Sequence, residues 1–263
     1  MTLRPSTFDL VDSHCHLQFD AYAGREDEVL AAASAVGVKK IICVGTSLAD
    51  SQTAVDLARH KKDVWAAVGV HPHEADAYLD NSESGKILNK LSILPRVVAI
   101  GEIGLDFYRN LSAEAKQEQA LRDQIQIGLK TGLPFIFHVR DAWTDFWRIV
   151  DEYKGVHGVV HSFSSGTKQL DQVLSRGFYV GLNGIMTFTR DEAQLEAARR
   201  VPSDKLILET DAPFLTPAPN RNELCEPRHV RTTAQFLADL RGEALEELAK
   251  ATTTNAIKLF GLK

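Results

Sequence analysis

The chain has 263 residues, of which 44% are hydrophobic and 25% are charged, a balance typical of a water-soluble globular protein. Its formal net charge of −5 argues against a nucleic-acid-binding protein that relies on a broad basic surface. The sequence has no apolar run of the roughly 18 residues that a membrane span needs, and no signal-peptide segment at its start. We therefore expect a cytoplasmic protein with no membrane partner. Its widely spaced cysteines, without a Cys-x-x-Cys pair, indicate reduced and buried thiols.

Short apolar runs rich in β-branched residues recur along the chain at intervals of roughly 20 to 40 residues. Their nearly continuous apolar character is typical of strands that are covered on both faces, as in a parallel sheet. We predict eight such strands, at residues 8–14, 39–45, 64–71, 97–104, 133–139, 158–163, 177–184 and 205–211.

Segments with helical spacing lie between these runs. In residues 24–37, Val29, Ala32, Ala33 and Val36 follow the i, i+3, i+4, i+7 pattern, and Gly37 can end the helix. Further helices are predicted at residues 47–60, 82–94, 112–131, 166–176, 191–200, 227–240 and 243–255. Strands that alternate with helices in this way predict an α/β protein with a (β/α)₈ barrel, as a single domain over residues 1–263. An open doubly wound sheet is the structural alternative.

Polar side chains gather at the C-terminal ends of the predicted strands, and in a barrel all of these ends meet at one mouth. Six of the nine histidines would converge there with two carboxylates, namely His14, His16, His71, His73, Glu102, His138, His161 and Asp211. Each residue alone is compatible with a hydrogen-bonded core group. Together they favour a metal site, because buried charges are costly unless they are paired or bound to metal.

The predicted ligands are four imidazoles and two carboxylates without a thiolate, namely His14, His16, Glu102, His138, His161 and Asp211. This set suits one or two divalent ions such as Mg²⁺, Mn²⁺ or Zn²⁺. Two ions bridged by Glu102 would activate a water and clamp an oxyanion, which is hydrolase chemistry. Asp211 is placed to accept the proton of the nucleophile. We expect Asp12 and Glu209, each two residues before a predicted ligand, to support the site by hydrogen bonds rather than to bind the ion.

Cationic and aromatic residues near the same mouth are candidates for substrate contact. Arg140, two residues after His138, has the planar donor geometry that suits phosphate, although a salt bridge to a loop carboxylate would also explain it. Arg221, in the loop after the eighth strand, is a similar candidate. Four aromatic side chains near the rim are candidates for stacking on a base, namely Phe107, Tyr108, Trp143 and Trp147. The helical spacing of the two tryptophans is more typical of a core.

Six ordered motifs make the chain resemble the TatD family of metal-dependent deoxyribonucleases and related hydrolases over residues 8–261. They are "DSHCHL", "GVHPH", "GEIGLDFY", "HVRDA", "HSFS" and "LETDAP". The resemblance implies a TIM barrel with a divalent-metal site, and its metal ligands fall on the same six residues that the strand ends indicate. We assign His71 and His73, which match family histidines close to the site, to substrate contact. The loop of residues 221–227, "RNELCEP", departs from the family pattern, because Asn222, Glu223 and Cys225 replace the residues expected there.

The leading functional hypothesis is a TatD-like phosphodiester hydrolase that uses metal-activated water on DNA, with RNA as a second candidate substrate. The acidic net charge favours exonucleolytic attack on single-stranded ends over binding of a duplex along a basic face. The alternative is a metal-dependent hydrolase of a non-nucleic-acid ester or amide, because one barrel can serve many substrates. A non-catalytic barrel would require lost ligands, and none is missing. No obligate protein partner is evident.

Overall fold

The computed structural model describes residues 8–263, in which strands and helices alternate along the chain. The strands are β1 (Leu10–Cys15), β2 (Val38–Val44), β3 (Val64–Val68), β4 (Val97–Asp106), β5 (Phe135–Arg140), β6 (Gly158–Val160), β7 (Tyr179–Leu182) and β8 (Leu206–Leu208). They form one sheet in the order β1 to β8, so that neighbours in the sequence are neighbours in the sheet. The pairs β3–β4, β4–β5, β5–β6 and β7–β8 are parallel. All eight predicted strands are therefore confirmed.

The helices of the described residues fill the intervals between the strands and follow β8. They are α1 (Glu26–Ala35), α2 (Leu48–His60), α3 (Ala75–Asp80), α4 (Ser84–Ser92), α5 (Glu114–Thr131), α6 (Trp143–Val150), α7 (Thr167–Ser175), α8 (Glu192–Arg200), α9 (Val230–Arg241) and α10 (Leu245–Phe260). Every predicted helix is present, with boundaries shifted by a few residues. Within residues 8–263, no helix has both the length and the apolar character that crossing a membrane requires.

Local sequence explains where several helices begin and end. The Ser47 hydroxyl accepts a hydrogen bond from the Asp50 N–H at 3.1 Å and caps α2. In the same way, the Asp191 carboxylate accepts from the Ala193 N–H at 2.9 Å and caps α8. At the other end, α5 stops at Gly132, whose φ of +70° is a left-handed conformation that glycine adopts without steric cost.

Two short helices, α3 and α6, are absent from the sequence-based prediction. Helix α6 buries Phe146 and Trp147, and the Trp147 side chain packs with an exposure of only 5%. Its ring centroid lies 6.1 Å from that of Trp143. Trp147 is therefore a core residue, as its helical spacing indicates, and its ring is not exposed for stacking on a nucleobase.

The described chain divides into two compact units, one of residues 43–161 and the other of the described residues up to Ile42 together with residues 162–263. In the second unit β8 returns to β1, since the Asp211 N–H donates to the His14 carbonyl at 2.8 Å and Cys15 pairs with Ala212 in a parallel bridge. Sequential strand order with β8 beside β1 defines the (β/α)₈ barrel, and the alternative of an open doubly wound sheet is wrong. A single domain over residues 1–263 stays a prediction.

Candidate metal centre

In the unit of residues 43–161, imidazole nitrogens surround one carboxylate oxygen. Glu102, which lies within β4 and is only 4% exposed, places its Oε1 atom 2.8 Å from His138 Nδ1 and 2.8 Å from His161 Nε2. The Nε2 atom of His71 lies 3.6 Å from the same oxygen. Ligand atoms of His71, Glu102 and His138 lie within 4.8 Å of one another, close enough to share an ion. Imidazole and carboxylate are donors that Zn²⁺ and Mn²⁺ accept readily.

Asp106, at the end of β4, extends this cluster and was missed by the sequence analysis. Its Oδ2 atom lies 2.9 Å from His73 Nε2 and 3.3 Å from His138 Nε2, and its Oδ1 atom accepts from the Arg109 N–H at 2.8 Å. The signal that could have found it is the even spacing from Glu102, because residues four apart in a strand share a face. His138 is thus held between two carboxylates.

Burial and charge set different protonation preferences within the cluster. Burial lowers the pKa of His71 to about 3, and its Nδ1 atom accepts the His73 N–H at 3.1 Å, as only a neutral ring can. Burial opposes ionisation of Asp106, but hydrogen bonds from His138, the Arg109 N–H and His73 hold the pKa of its carboxyl well below the ordinary value. Burial likewise opposes a charge on His138, yet its bonds to Asp106 and Glu102 raise its pKa. The two carboxylates therefore favour a positive charge at His138, whereas His71 stays neutral.

A glycine allows β4 and β5 to bring these groups together. Gly104 pairs with His138 in the parallel register, and its φ is +151°. A Cβ atom at Gly104 would lie 1.8 Å from the His138 carbonyl oxygen, so any other residue would push the strands apart. Gln117 of α5 fixes the end of β4 by accepting the Asp106 N–H at 2.8 Å and donating to the Asp106 carbonyl at 3.2 Å.

In the other unit, two imidazoles approach one carboxylate. His14 and His16, at the end of β1, are 0% and 2% exposed, and their Nε2 atoms lie 3.6 Å and 3.4 Å from Asp211 Oδ1. Asp211 follows β8 with a φ of +62°, a left-handed conformation that is uncommon outside glycine, asparagine and aspartate. Its N–H bond to the His14 carbonyl anchors this conformation to β1. The predicted residues His14, His16 and Asp211 are therefore brought together.

Asp12 and Glu209 hold the backbone next to predicted ligands. The Asp12 carboxylate accepts from the Thr210 N–H at 2.9 Å and from its hydroxyl at 2.6 Å, which fixes the residue before Asp211. Burial raises the pKa of Asp12 to about 8, although the Thr210 hydrogen bonds oppose the shift. Glu209 Oε1 accepts from the Ser162 N–H at 2.6 Å, which fixes the residue after His161. These contacts fit the predicted supporting roles, but they are made to Thr210 and Ser162, which adjoin predicted ligands.

The two predicted cationic substrate contacts have different surroundings. The Arg140 guanidinium lies 4.0 Å above the ring centroid of Tyr108, and Tyr108 is 62% exposed. Throughout residues 8–263 Arg140 makes no ion pair with a carboxylate, so the salt-bridge alternative is not what the structure contains. Arg221 instead donates to the Thr216 carbonyl of its own loop at 2.7 Å and lies 3.7 Å from the Phe188 ring centroid.

The atypical loop of residues 221–227 is tied to its own unit. The Asn220 amide donates to the Glu223 carboxylate at 2.5 Å, so this acidic side chain bonds within its own loop. Cys225 is buried, and its carbonyl accepts the Tyr22 hydroxyl. Of the residues that depart from the family pattern, Glu223 and Cys225 therefore make contacts that hold the loop, whereas Asn222 is exposed.

An exposed aromatic residue beside His16 was also missed. Phe214 is 52% exposed, and its ring centroid lies 6.3 Å from that of His16 and 6.4 Å from that of Phe19. The Phe19 ring in turn stacks on His16 at 4.7 Å. The only sequence signal is an aromatic residue three positions after Asp211, which is too common a pattern to single out.

The chain is similar to known proteins over nearly its whole length. The family model described as TatD related DNase matches residues 11–261. The chain is 38% identical over 256 residues to the "Uncharacterized metal-dependent hydrolase YcfH" of Escherichia coli K12, covering 95% of each chain. It is 37% identical to the "3'-5' ssDNA/RNA exonuclease TatD" of Citrobacter rodentium, covering 96% of this chain and 98% of the relative. A crystal structure of the TatD homologue YJJV of E. coli superposes with a TM-score of 0.90 at 28% identity, over 97% and 98% of the two chains.

Proposed function

The chain belongs to the TatD family of metal-dependent hydrolases, and we propose that it removes nucleotides from single-stranded ends of DNA, with RNA as a second substrate. The proposal draws on the relatives named as 3'-5' ssDNA/RNA exonucleases. The net charge of −5 supports it, because a strand end that enters a local site needs no extended basic surface. The observation that carries the proposal is the set of imidazoles around the buried Glu102 carboxylate.

The ligands of this proposal are the six predicted residues, namely His14, His16, Glu102, His138, His161 and Asp211. Each lies in, or shortly after, a strand of a (β/α)₈ barrel, whose catalytic residues come from the C-terminal strand ends. The donor set fits one or two ions of Mg²⁺, Mn²⁺ or Zn²⁺. Such an ion polarises a phosphoryl oxygen and acidifies a water when it is bound.

The remaining chemistry belongs to side chains. Asp211, whose side chain is 16% exposed, accepts the proton of the attacking water and later returns it to the leaving oxygen. Arg140 donates to a phosphate oxygen, while its contact with Tyr108 holds the guanidinium plane in place. His71 is neutral and contacts the substrate by hydrogen bonding, and Asp106 orients His73 for the same purpose.

The test is nucleotide release from end-labelled single-stranded DNA and RNA by metal-stripped protein, with Mg²⁺, Mn²⁺ or Zn²⁺ added back. We expect shortening that depends on the metal and is lost in His161→Ala. His157→Ala, which removes an exposed histidine four residues earlier, is the matched control and should keep full activity. If protein that binds divalent ions cleaves neither nucleic acid, the nuclease proposal is wrong and the alternative of another ester or amide substrate takes its place.

A further inference from the structure

A groove on the outer helices of residues 43–161 lies apart from the cluster around Glu102. It is formed by α3, α4 and α5 and has a volume of about 840 Å³. Its lining is mostly polar, and none of the predicted metal ligands or substrate contacts belongs to it. The groove is large enough for a nucleotide-sized ligand, since small-molecule sites commonly span about 300–1,000 Å³.

Two buried hydroxyls in this groove lack hydrogen-bond partners. Among the described residues, neither Tyr78 Oη nor Ser84 Oγ makes a hydrogen bond, although the two residues are only 4% and 2% exposed. Both line the groove, and Tyr78 Oη lies 3.7 Å from where a Cβ atom of Gly85 would be. Buried polar groups are nearly always satisfied in native proteins, so two unpartnered hydroxyls that line one groove are candidates to hydrogen-bond a ligand there.

The charges around the groove favour an anion. Lys86, Lys90 and Lys130 line it against one carboxylate, Asp123, in a protein whose overall charge is negative. Lys86 pairs with Glu83 at 2.8 Å, whereas Lys90 and Lys130 form no ion pair within residues 8–263. Burial raises the pKa of Asp123, the one acidic side chain of the lining, and three lysines outnumber it.

The start of α4 adds backbone donors to the same place. Helix α4 has nine residues, begins at Ser84, and receives no side-chain cap from Glu83. The Ser84 N–H donates to the Asn81 carbonyl at 3.0 Å. The next N–H groups have no acceptor within the helix, and the helix dipole favours negative charge there. Gly85, the second residue of α4, presents no side chain that would cover these groups.

We propose that this groove is a second ligand site, which binds a phosphate group through the Tyr78 and Ser84 hydroxyls, the start of α4, and Lys90 and Lys130. The phosphate belongs to a free mononucleotide or to a nucleic-acid strand. The site is independent of the proposed hydrolytic function, because it shares no residue with the metal cluster.

The test measures the rate at which an amine-reactive acetylating reagent modifies each lysine of the full-length, metal-loaded protein, by mass spectrometry. We expect inorganic phosphate and thymidine 5′-monophosphate to slow the modification of Lys90 and Lys130 severalfold, and thymidine to have no effect. Lys168 of α7 and Lys250 of α10, which are also exposed, are internal controls and should react at an unchanged rate.

A variant distinguishes phosphate binding in the groove from a nonspecific effect of anions on lysine reactivity. Tyr78→Phe combined with Ser84→Ala removes only the two hydroxyls, and it should abolish most of the protection while leaving nuclease activity unchanged. Protection by a hydrolysis-resistant phosphorothioate oligothymidylate but not by the mononucleotide would identify a strand as the source of the phosphate. The proposal is overturned if no phosphate compound protects Lys90 and Lys130, if Lys168 and Lys250 are protected equally, or if the double variant keeps full protection.

Discussion

Asp211 differs from the other candidate ligands in its backbone conformation as well as in its position after β8. Its φ of +62° turns the chain after β8, and this turn places Oδ1 within 3.6 Å of the His14 and His16 nitrogens. Asparagine adopts the same left-handed conformation readily and has nearly the same shape. Asp211→Asn therefore removes the proton acceptor while preserving the fold.

We expect Asp211→Asn to lower kcat by about 100- to 10,000-fold, the usual contribution of a general base. The measurement is steady-state hydrolysis of single-stranded DNA at neutral pH with saturating metal. Asp204→Asn, an exposed aspartate seven residues earlier, is the matched control. Near-normal turnover by Asp211→Asn would show that another group accepts the proton.

The proposed contact of Arg140 with phosphate can be tested by mutation. Its guanidinium lies on the exposed ring of Tyr108 and forms no ion pair with a carboxylate within the described residues. We expect Arg140→Ala to raise KM about 10- to 100-fold with little change in kcat, since a hydrogen bond to a charged group is worth about 1.5–3 kcal/mol. Steady-state kinetics on single-stranded DNA provides the measurement. Arg59→Ala, which removes an exposed arginine of α2, should leave KM unchanged. A fall in kcat with KM unchanged would contradict the binding role.

Among the elements, the pair β4–β5 carries the cluster around Glu102, and Gly104 determines how closely these strands approach. The close approach explains why "GEIG" contains a glycine directly opposite His138. It also brings Glu102 Oε1 and Asp106 Oδ2 to the two nitrogens of one imidazole. The geometry of this part of the site thus depends on a single position without a side chain.

Gly104→Ala should destabilise the protein by about 1–3 kcal/mol or more, because its Cβ atom cannot fit beside the His138 carbonyl. Equilibrium denaturation in urea measures the free energy of unfolding. Gly166→Ala, whose Cβ atom would make only ordinary contacts at 3.5 Å, is the control. Equal stability of the two variants would mean that the β4–β5 contact tolerates a side chain.

The turn that leads into α9 contains a buried histidine, His229. The His229 Nδ1 atom accepts the Glu226 N–H at 3.0 Å, and the residue is 7% exposed. Burial, with the nearby charge of Arg228, lowers the pKa of His229 below its ordinary value of about 6.5. Because its pKa is lower in the folded state, His229 contributes stability that is fully present above its unfolded-state pKa. This contribution is lost as the pH falls from there through the folded-state pKa.

We therefore expect the free energy of unfolding to decline between pH 7 and pH 5 more steeply in the wild type than in His229→Gln. Glutamine can still accept the Glu226 N–H in a capping box but does not titrate. The comparison is urea denaturation across this pH range, with His157→Gln as the exposed control. Identical pH profiles for the wild type and His229→Gln would show that His229 contributes no such dependence.

For the whole molecule, ligand binding and folding are linked. Burying imidazoles and carboxylates close together costs free energy through desolvation and repulsion, and a bound ion offsets this cost. An ion that binds only the folded state stabilises it by about 2.7 kcal/mol at a concentration 100 times its Kd. We expect removal of divalent ions by a chelator to lower Tm by about 5 °C or more, and Mn²⁺ or Zn²⁺ to restore it. Glu102→Gln should abolish this response, whereas Glu118→Gln, on α5, should not. A Tm that does not respond to chelation would contradict the metal site.

Much of this protein is determined by its sequence alone, because continuous apolar runs predict strands and the polar residues at their ends predict the mouth of a barrel. The eight strands, the barrel and the candidate ligands from His14 to Asp211 follow from these two patterns. Contacts between side chains far apart in the sequence do not. The bonds of Asp106 to His73 and His138, and the attachment of Arg221 to Thr216 and Phe188, depend on how neighbouring elements pack.

Those contacts depend on how elements distant in the sequence pack together, for the same cause in each case. A carboxylate or guanidinium has several possible partners along the chain, and its choice depends on distances of a few ångströms that local periodicity does not specify. The groove beside α4 follows this rule as well, since nothing in "YLDNSESGK" indicates that the hydroxyls of Tyr78 and Ser84 are buried without partners. Periodic burial determines where elements form, whereas close packing determines which polar atoms meet.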